Sequence, residues 1–375
     1  MRILFLAMPG AGHVFPLVPL AWAFRSSGHE VLFGTCGEGL GHASGAGLPV
    51  VDVAPGFRVR DYLGQLFAQR PELPAQERAA ARRHSVHFAV TLFAPVSRRM
   101  AGDAIRLARR WRPDLVVYDE LGAVGALAAA AAGVPGVLHD CGFVRTRPLW
   151  QGFRQALLDL YEEYGLRAPA EPAVTLDPAP PSTVPEPDGW SVRYVPYSTG
   201  AVLPDWLSEP PRRRRVAVSL GTVTPDVEGP GLMQRIVGVA AGIDAEFVLA
   251  LGGRPVAILG ELPPNVRACE WVPLNVLLTT CAAIIHHGGA GTALTSIAAG
   301  VAQLVVPNGA DRHITADATR RRGIGLVAEP DELDTALLQR LLTDHELRVA
   351  AAEVRTELSG LPAPAEIASR LIRWR

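Results

Sequence analysis

Lysine is absent from all 375 residues, so every fixed positive side chain is an arginine. That excludes a phosphate loop of the GxxxxGK[ST] type, a pyridoxal phosphate Schiff base and a lysine-dependent aldolase. Cysteine is scarce. Cys36, Cys141, Cys269 and Cys281 lie far apart, with no CxxC pair and no metal-ligand spacing. Scattered thiols of this kind fit a reduced, cytoplasmic protein. Neither charge sign is in excess, since 36 basic residues against 37 acidic ones leave a net charge of −1. An overall electrostatic grip on nucleic acid or an anionic membrane is thereby excluded. Long apolar runs are missing too. Residues 1–7 amount to about one strand and lack a secretory cleavage pattern. Residues 123–138 are broken by Gly133, Pro135 and Gly136, short of the roughly 18 apolar residues of a spanning helix. No stable membrane insertion is expected.

What remains is a globular composition, 49% hydrophobic and 19% charged, in a chain long enough for two domains of ordinary size. The first half alternates strand and helix signals. Strands are expected at 2–8, 30–35, 48–53, 114–118 and 136–139, with a helix over 15–28 whose Pro16 and Pro19 fall in its first turn. Such alternation means a parallel sheet of βαβ units. Prolines dominate 168–188, which reads as an extended surface segment without helix or central strand. A second punctuated stretch, 196–211, leads into Arg212–Arg215, a solvated linker edge or a phosphate site. The alternation then restarts, with strands expected at 216–220, 246–251, 266–271, 283–286 and 304–306. Helices are expected over 232–242, 291–300 and 363–374.

Three places combine the residue types that chemistry requires. His13 follows the first strand within Gly10-Ala11-Gly12-His13-Val14-Phe15, a GxGxxF that lacks the third glycine of a dinucleotide fingerprint. A histidine at that strand end and at a helix N-terminus is placed to stay neutral and act as a base, or simply to cap the helix. Asp119 closes the Asp-Leu-Val-Val-Tyr strand, beside Glu120. It would orient the imidazole and stabilise its protonated form, or N-cap the Ala-rich helix that follows. The most specific signal is His286-His287-Gly288-Gly289-Ala290-Gly291-Thr292, joining a strand to a helix. Its glycines allow close backbone approach, and its amides with His287 and Thr292 form an anion cradle for a diphosphate. No metal is expected there, because no carboxylate or cysteine lies at ligand spacing. Ser219-Leu220-Gly221-Thr222 brings hydroxyls to another strand end. Trp271-Val272-Pro273 brings an indole suited to stacking on a base.

These segments, together with PDLVVYDE, AGVPGVLHD, LDPAPPS, RYVPY, EWVPLNVLLTTCAAIIHHGGAGT and GVAQLVVPNGADRHITA, resemble the GT-B glycosyltransferases of antibiotic biosynthesis. Plant and animal UDP-glycosyltransferases belong to the same family. The resemblance implies an α/β fold of two Rossmann-like domains facing across a cleft: 1–205 for the acceptor, 206–360 for a nucleotide sugar, and a C-terminal helix, 361–375, crossing back to the first. By motif match, His287, Gly288, Gly289, Gly291 and Thr292 would hold the diphosphate, with Ser219 or Thr222 nearby. Trp271 would stack on the base, the Val272 backbone would read its edge, and Asp311 would meet sugar hydroxyls. His13 would be the general base and Asp119 its partner. The implied reaction is inverting and metal-independent, with no cofactor beyond the donor co-substrate. In this branch the donor is usually a dTDP-deoxysugar and the acceptor a polyketide-type or other natural-product aglycone.

The chain departs from the family pattern in two places. Arg312 stands where relatives commonly carry Gln, which suits a less hydroxylated sugar or a phosphate contact. Asp140 stands where many relatives are apolar, and some C-glycosylating relatives use an acid here as base, so O- and C-transfer both stay open. Phe57, Tyr62, Phe88, Phe93 and Phe143 are the expected acceptor wall. The other readings are a UDP-sugar or lipid-linked transferase, a sugar-nucleotide epimerase, and a non-catalytic helper for a partner transferase. A homodimer or an auxiliary protein is compatible with all of them.

Overall fold

Apolar runs without polar alternation, such as Leu-Val-Val-Tyr at 115–118, suit strands buried on both faces. The computed structural model describes residues 1–81, 87–169, 171–221, 231–307, 309 and 311–374. It places such runs in two parallel sheets, one in each of two compact units. The first unit is Met1–Pro181, Glu186–Tyr197 and Leu361–Arg375, and the second is Ser182–Pro185 and Ser198–Gly360.

The first sheet has the order β3-β2-β1-β4-β5-β6-β7. Its strands are β1 Arg2–Leu6, β2 Glu30–Thr35, β3 Val50–Asp52, β4 Leu115–Asp119, β5 Gly136–His139, β6 Val174–Asp177 and β7 Trp190–Ser191. All their pairings are parallel. The strand order reverses at β1, between β2 and β4, and ligands of open α/β sheets bind beyond the carboxyl ends at such a point. Phe5 stacks on Phe33 with ring centroids 5.9 Å apart and meets Phe24 edge-on at 6.2 Å. Phe24 belongs to the helix Val18–Ser26, against which the C-terminal helix Pro364–Trp374 packs. Ile367 and Leu371 of that last helix are fully buried in the same core, each contributing roughly 1.5–3 kcal/mol.

Two expectations for this unit are corrected. The helix expected over 15–28 is two pieces, a 3-10 turn at Phe15–Leu17 and Val18–Ser26, and a further turn at Ala11–Val14 precedes them. Pro16 and Pro19 lack the amide that one continuous ladder needs. Residues 168–188 do contain an inner strand, because β6 pairs with both β5 and β7. Its four residues, Val-Thr-Leu-Asp, lie between Pro172 and Pro178, so every ladder amide is present. Most of 174–180 is buried, not exposed.

The second sheet has the order β10-β9-β8-β11-β12-β13, with β8 Arg215–Ser219, β9 Glu246–Ala250, β10 Val266–Cys269, β11 Ala283–His286, β12 Ala302–Val305 and β13 Gly325–Val327. It too is parallel, and its order reverses between β8 and β11. The four arginines are divided. Arg212, Arg213 and Arg214 are exposed, whereas Arg215 opens β8 and is buried. Its guanidinium pairs with Glu246 at 2.9 Å and Thr280 at 2.7 Å, and lies 5.0 Å from the Trp206 ring centroid. A buried cation satisfied this fully is structural, which removes it from any phosphate site. Among the described residues, no helix is long and apolar enough to cross a membrane.

Candidate active site

In the first unit, the turn Ala11–Val14 follows β1 and carries His13. Its Nδ1 lies 2.9 Å from Oδ2 of Asp119, the last residue of β4. At that separation the carboxylate forms an ion pair with the ring once the imidazole is protonated. Asp119 is wholly buried, yet its carboxylate is satisfied. Oδ1 accepts the Met8 amide at 2.9 Å and Oδ2 accepts the Leu121 amide at 3.2 Å. Neither residue does the bland job open to it. Gly10 is the N-cap of the His13 turn, and Ala123 is the N-cap of the Ala-rich helix Val124–Ala132. The His13 side chain keeps 24% of its surface, so a base there can meet a substrate while its carboxylate partner stays shielded from water.

Asp140 follows β5 and is sealed. Its Oδ1 accepts the Gly142 amide at 3.0 Å, and its Oδ2 lies 3.8 Å from Nη2 of Arg145. Burial pushes its carboxyl well above the usual carboxylate range. Glu120 and Asp177 push it the same way, and Arg145 only partly opposes them. Burial likewise raises the Cys141 thiol, with Glu120, Asp119 and Asp140 adding to it, and drives His139 down to about 4. The Cys141 amide donates to Glu120 Oε2 at 3.0 Å. His13, Glu120 and Cys141 bring a ring nitrogen, a carboxylate oxygen and a sulfur within 4.8 Å of one another. A thiol biased toward its protonated form is a poor ligand in that trio. The motifs singled out neither Cys141 nor Arg145. Their positions follow from the β5 edge, which a one-dimensional reading does not align with β4.

Of the expected acceptor wall, Phe57 and Tyr62 come together with ring centroids 6.0 Å apart. Both are half-buried, as are Phe88 and Phe93 on the helix His87–Trp111, whereas Phe143 is buried in the core. No residue of the helix Val59–Gln69, which carries Tyr62, is buried.

In the second unit, β11 ends at His286 and the helix Ala290–Ala299 begins after Gly289, which has no side chain to cap it. A helix start without a capping side chain offers its amides to an anion. Gly288 has φ +92°, and a Cβ there would lie 3.0 Å from both Cβ and the carbonyl oxygen of Arg312. The glycine therefore lets the loop press against Asp311-Arg312, which starts the helix Arg312–Arg322. His287 is a buried wedge. A Cβ on Gly221 would come within 2.6 Å of its Cε1, and one on Gly289 within 2.6 Å of its Nε2. Burial, with Arg312 and His286 adding to it, lowers its pKa well below the ordinary value, so the ring is neutral. Its Nδ1 faces the Ser219 carbonyl at 3.5 Å. Ser219 and His286 are register partners across β8 and β11.

Gly291 and Thr292 stand in the first turn of Ala290–Ala299, and Asp311 makes no capping hydrogen bond. Trp271 leaves 38% of its surface exposed beyond β10, next to the buried Val272. Thr222 lies outside the described residues. The loop, Arg312, Asp311 and Ser219 thus gather at the carboxyl ends of β8, β11 and β12.

Comparisons with known proteins identify the family. Residues 22–221 match the N-terminal domain, and residues 234–374 the C-terminal domain, of the family described as erythromycin biosynthesis protein CIII-like. The elloramycin glycosyltransferase ElmGT of Streptomyces olivaceus is 44% identical, covering 99% of this chain and 97% of its own length. Among solved structures, the glycosyltransferase SnogD from Streptomyces nogalater superposes with a TM-score of 0.85 at 42% identity, covering 100% of this chain and 99% of that one. The spinosyn rhamnosyltransferase SpnG, solved with thymidine diphosphate and with spinosyn aglycone, gives 0.85 at 31% identity, covering 99% and 100%. The chain belongs to this family of GT-B glycosyltransferases of antibiotic biosynthesis.

Proposed function

We propose that the chain transfers a 6-deoxysugar from a dTDP-sugar to a hydroxyl of a polyketide-type aglycone, with inversion at the anomeric carbon. The observation that carries this reading is His13 held against the shielded carboxylate of Asp119. A neutral His13 takes the acceptor proton as the oxygen attacks, and Asp119 stabilises the imidazolium that forms. General-base help of this type is worth about 10²–10⁴-fold. The departing dTDP carries the developing charge. The amides of the loop and of the Ala290–Ala299 N-terminus would stabilise it, without a metal ion or bound cofactor. Trp271 supplies an exposed indole for the base.

Relatives support the donor and acceptor classes. One is a 3-alpha-mycarosylerythronolide B desosaminyl transferase, and SpnG holds thymidine diphosphate. The choice of hydroxyl over carbon rests on Asp140. A base must be deprotonated and reachable, and Asp140 is sealed and biased toward its neutral form. The test compares His13→Ala with Asp140→Asn, measuring turnover and dTDP binding in each. Loss of turnover in the first alone, with dTDP binding kept, is the expected result. Loss in the second alone would move the base to Asp140 and the reaction toward carbon. A ligand at about 100 times its Kd adds roughly 2.7 kcal/mol, so dTDP should raise the melting temperature more than UDP does.

A further inference from the structure

Beside the loop that shapes the anion cradle lies a second histidine with no part in the reaction above. His286 is wholly buried at the end of β11. Its Nδ1 receives the Gly288 amide at 3.1 Å, and its Nε2 lies 2.9 Å from Oε1 of Gln303 on β12. Gln303 is also wholly buried. Its strand neighbour is Ile284, so Gln303 and His286 stand diagonally on one face of adjacent parallel strands.

The chemistry fixes the proton. An amide N–H can only donate, so Nδ1 must present its lone pair to Gly288. A neutral ring then carries its hydrogen on Nε2, and the atom facing it must be the glutamine oxygen. The opposite tautomer would set two N–H groups against each other. The ring does stay neutral, with burial bringing His286 down to about 4. The Gly288 amide is thus held from the sheet side, while Arg312 blocks the position of its absent Cβ on the other.

We infer that His286 is a positioning residue for the diphosphate cradle: Gln303 fixes its tautomer, and its Nδ1 holds the Gly288 amide so that the loop leads into the Ala290–Ala299 N-terminus in an anion-ready shape. The inference rests on reading that cradle as the donor site. His286 itself touches no ligand.

Three variants separate positioning from simple packing. His286→Asn keeps an acceptor where Nδ1 stands but cannot reach Gln303. His286→Phe keeps the shape and neither hydrogen bond. Gln303→Leu keeps the ring but frees its tautomer. Calorimetric titration with dTDP should show affinity lowered about tenfold in His286→Phe, less in Gln303→Leu, and within about threefold of the parent in His286→Asn. Thermal unfolding should fall alike in His286→Asn and His286→Phe, since both lose Gln303. Hydrogen exchange at Gly288 in the ligand-free protein should quicken in His286→Phe and not in His286→Asn. If His286→Asn and His286→Phe lose dTDP affinity equally, in step with their melting temperatures, His286 is a packing residue and the inference is overturned. Should the parent protein bind no nucleoside diphosphate, the donor-site reading fails. The exchange measurement still decides whether His286 holds Gly288.

Discussion

Asp119 ends β4 and Asp140 follows the neighbouring β5, both wholly buried, and they meet different partners. Asp119 accepts two amides and lies against His13. Asp140 faces Glu120 and Asp177, with one amide and a distant arginine to offset them. A carboxyl whose folded pKa is raised favours folding fully only below its unfolded value, and that contribution is lost as pH rises through the folded one. Asp140→Asn should therefore stabilise the first unit at pH 7–8, and the gain should shrink as pH falls toward 4. Denaturant titrations at both pH values read it, and an unchanged or lowered midpoint at neutral pH would show that Asp140 is comfortably ionised. Asp119→Asn should act on chemistry. It keeps an oxygen for the Met8 amide but removes the charge that steadies an imidazolium, so turnover should fall about 10²–10⁴-fold. Affinity for dTDP should stay within about twofold, because Asp119 belongs to the first unit and the cradle to the second.

At the scale of elements, the strand–loop–helix at 283–299 was the most legible part of the chain. An apolar run, a glycine cluster and a helical pattern follow one another there without competing signals. Its inner logic was not legible. Nothing in His-His-Gly-Gly says which ring holds the loop and which wedges it, because Gln303, Gly221 and Arg312 arrive from other strands and helices. The proline-rich stretch misled because composition was averaged over some twenty residues, while the strand Val174–Asp177 needed only four with intact amides. Arg215 was hidden for a related reason. A charge in a run of four looks solvated until Glu246 and Thr280 are brought beside it. Arg215→Leu would leave the half-buried Glu246 only the longer contact to Arg267 at 3.6 Å and take the guanidinium donor from the Thr280 hydroxyl, and should cost about 1–3 kcal/mol in the second unit. Gly288→Ala would force a left-handed φ on a residue with a Cβ that lies 3.0 Å from Arg312. Stabilisation by dTDP should disappear in that variant, with about 1–3 kcal/mol of folding stability lost. Retained dTDP binding would mean the loop tolerates another course and that Gly288 does not shape the cradle.

For the chain as a whole, the two units should respond differently to acid. A histidine whose folded pKa is depressed is protonated more readily in the unfolded chain, so it favours folding above about 6.5 and loses that contribution as pH falls toward the folded value. In the second unit, burial holds His286 at about 4 and His287 well below its ordinary value. They are adjacent, at the end of β11 and the start of its loop, so protonation of either strikes the same place. In the first unit His139 is likewise held at about 4, with His29 and His42 lowered from less buried positions. There Asp140 works in the opposite direction, because acid supplies the proton its burial already favours. Each proton taken up on unfolding is worth about 1.4 kcal/mol per pH unit. In the first unit His139 and Asp140 offset each other, and His29 and His42 are only partly buried, so the two fully buried histidines of the second unit should make its stability fall more steeply between pH 6.5 and 4.5. Hydrogen exchange followed peptide by peptide across that range would resolve the units separately. The β11 and β12 peptides should lose protection before those of β1 and β4. Equal loss in both would mean that proton uptake by the second unit's buried imidazoles is not what opens it first.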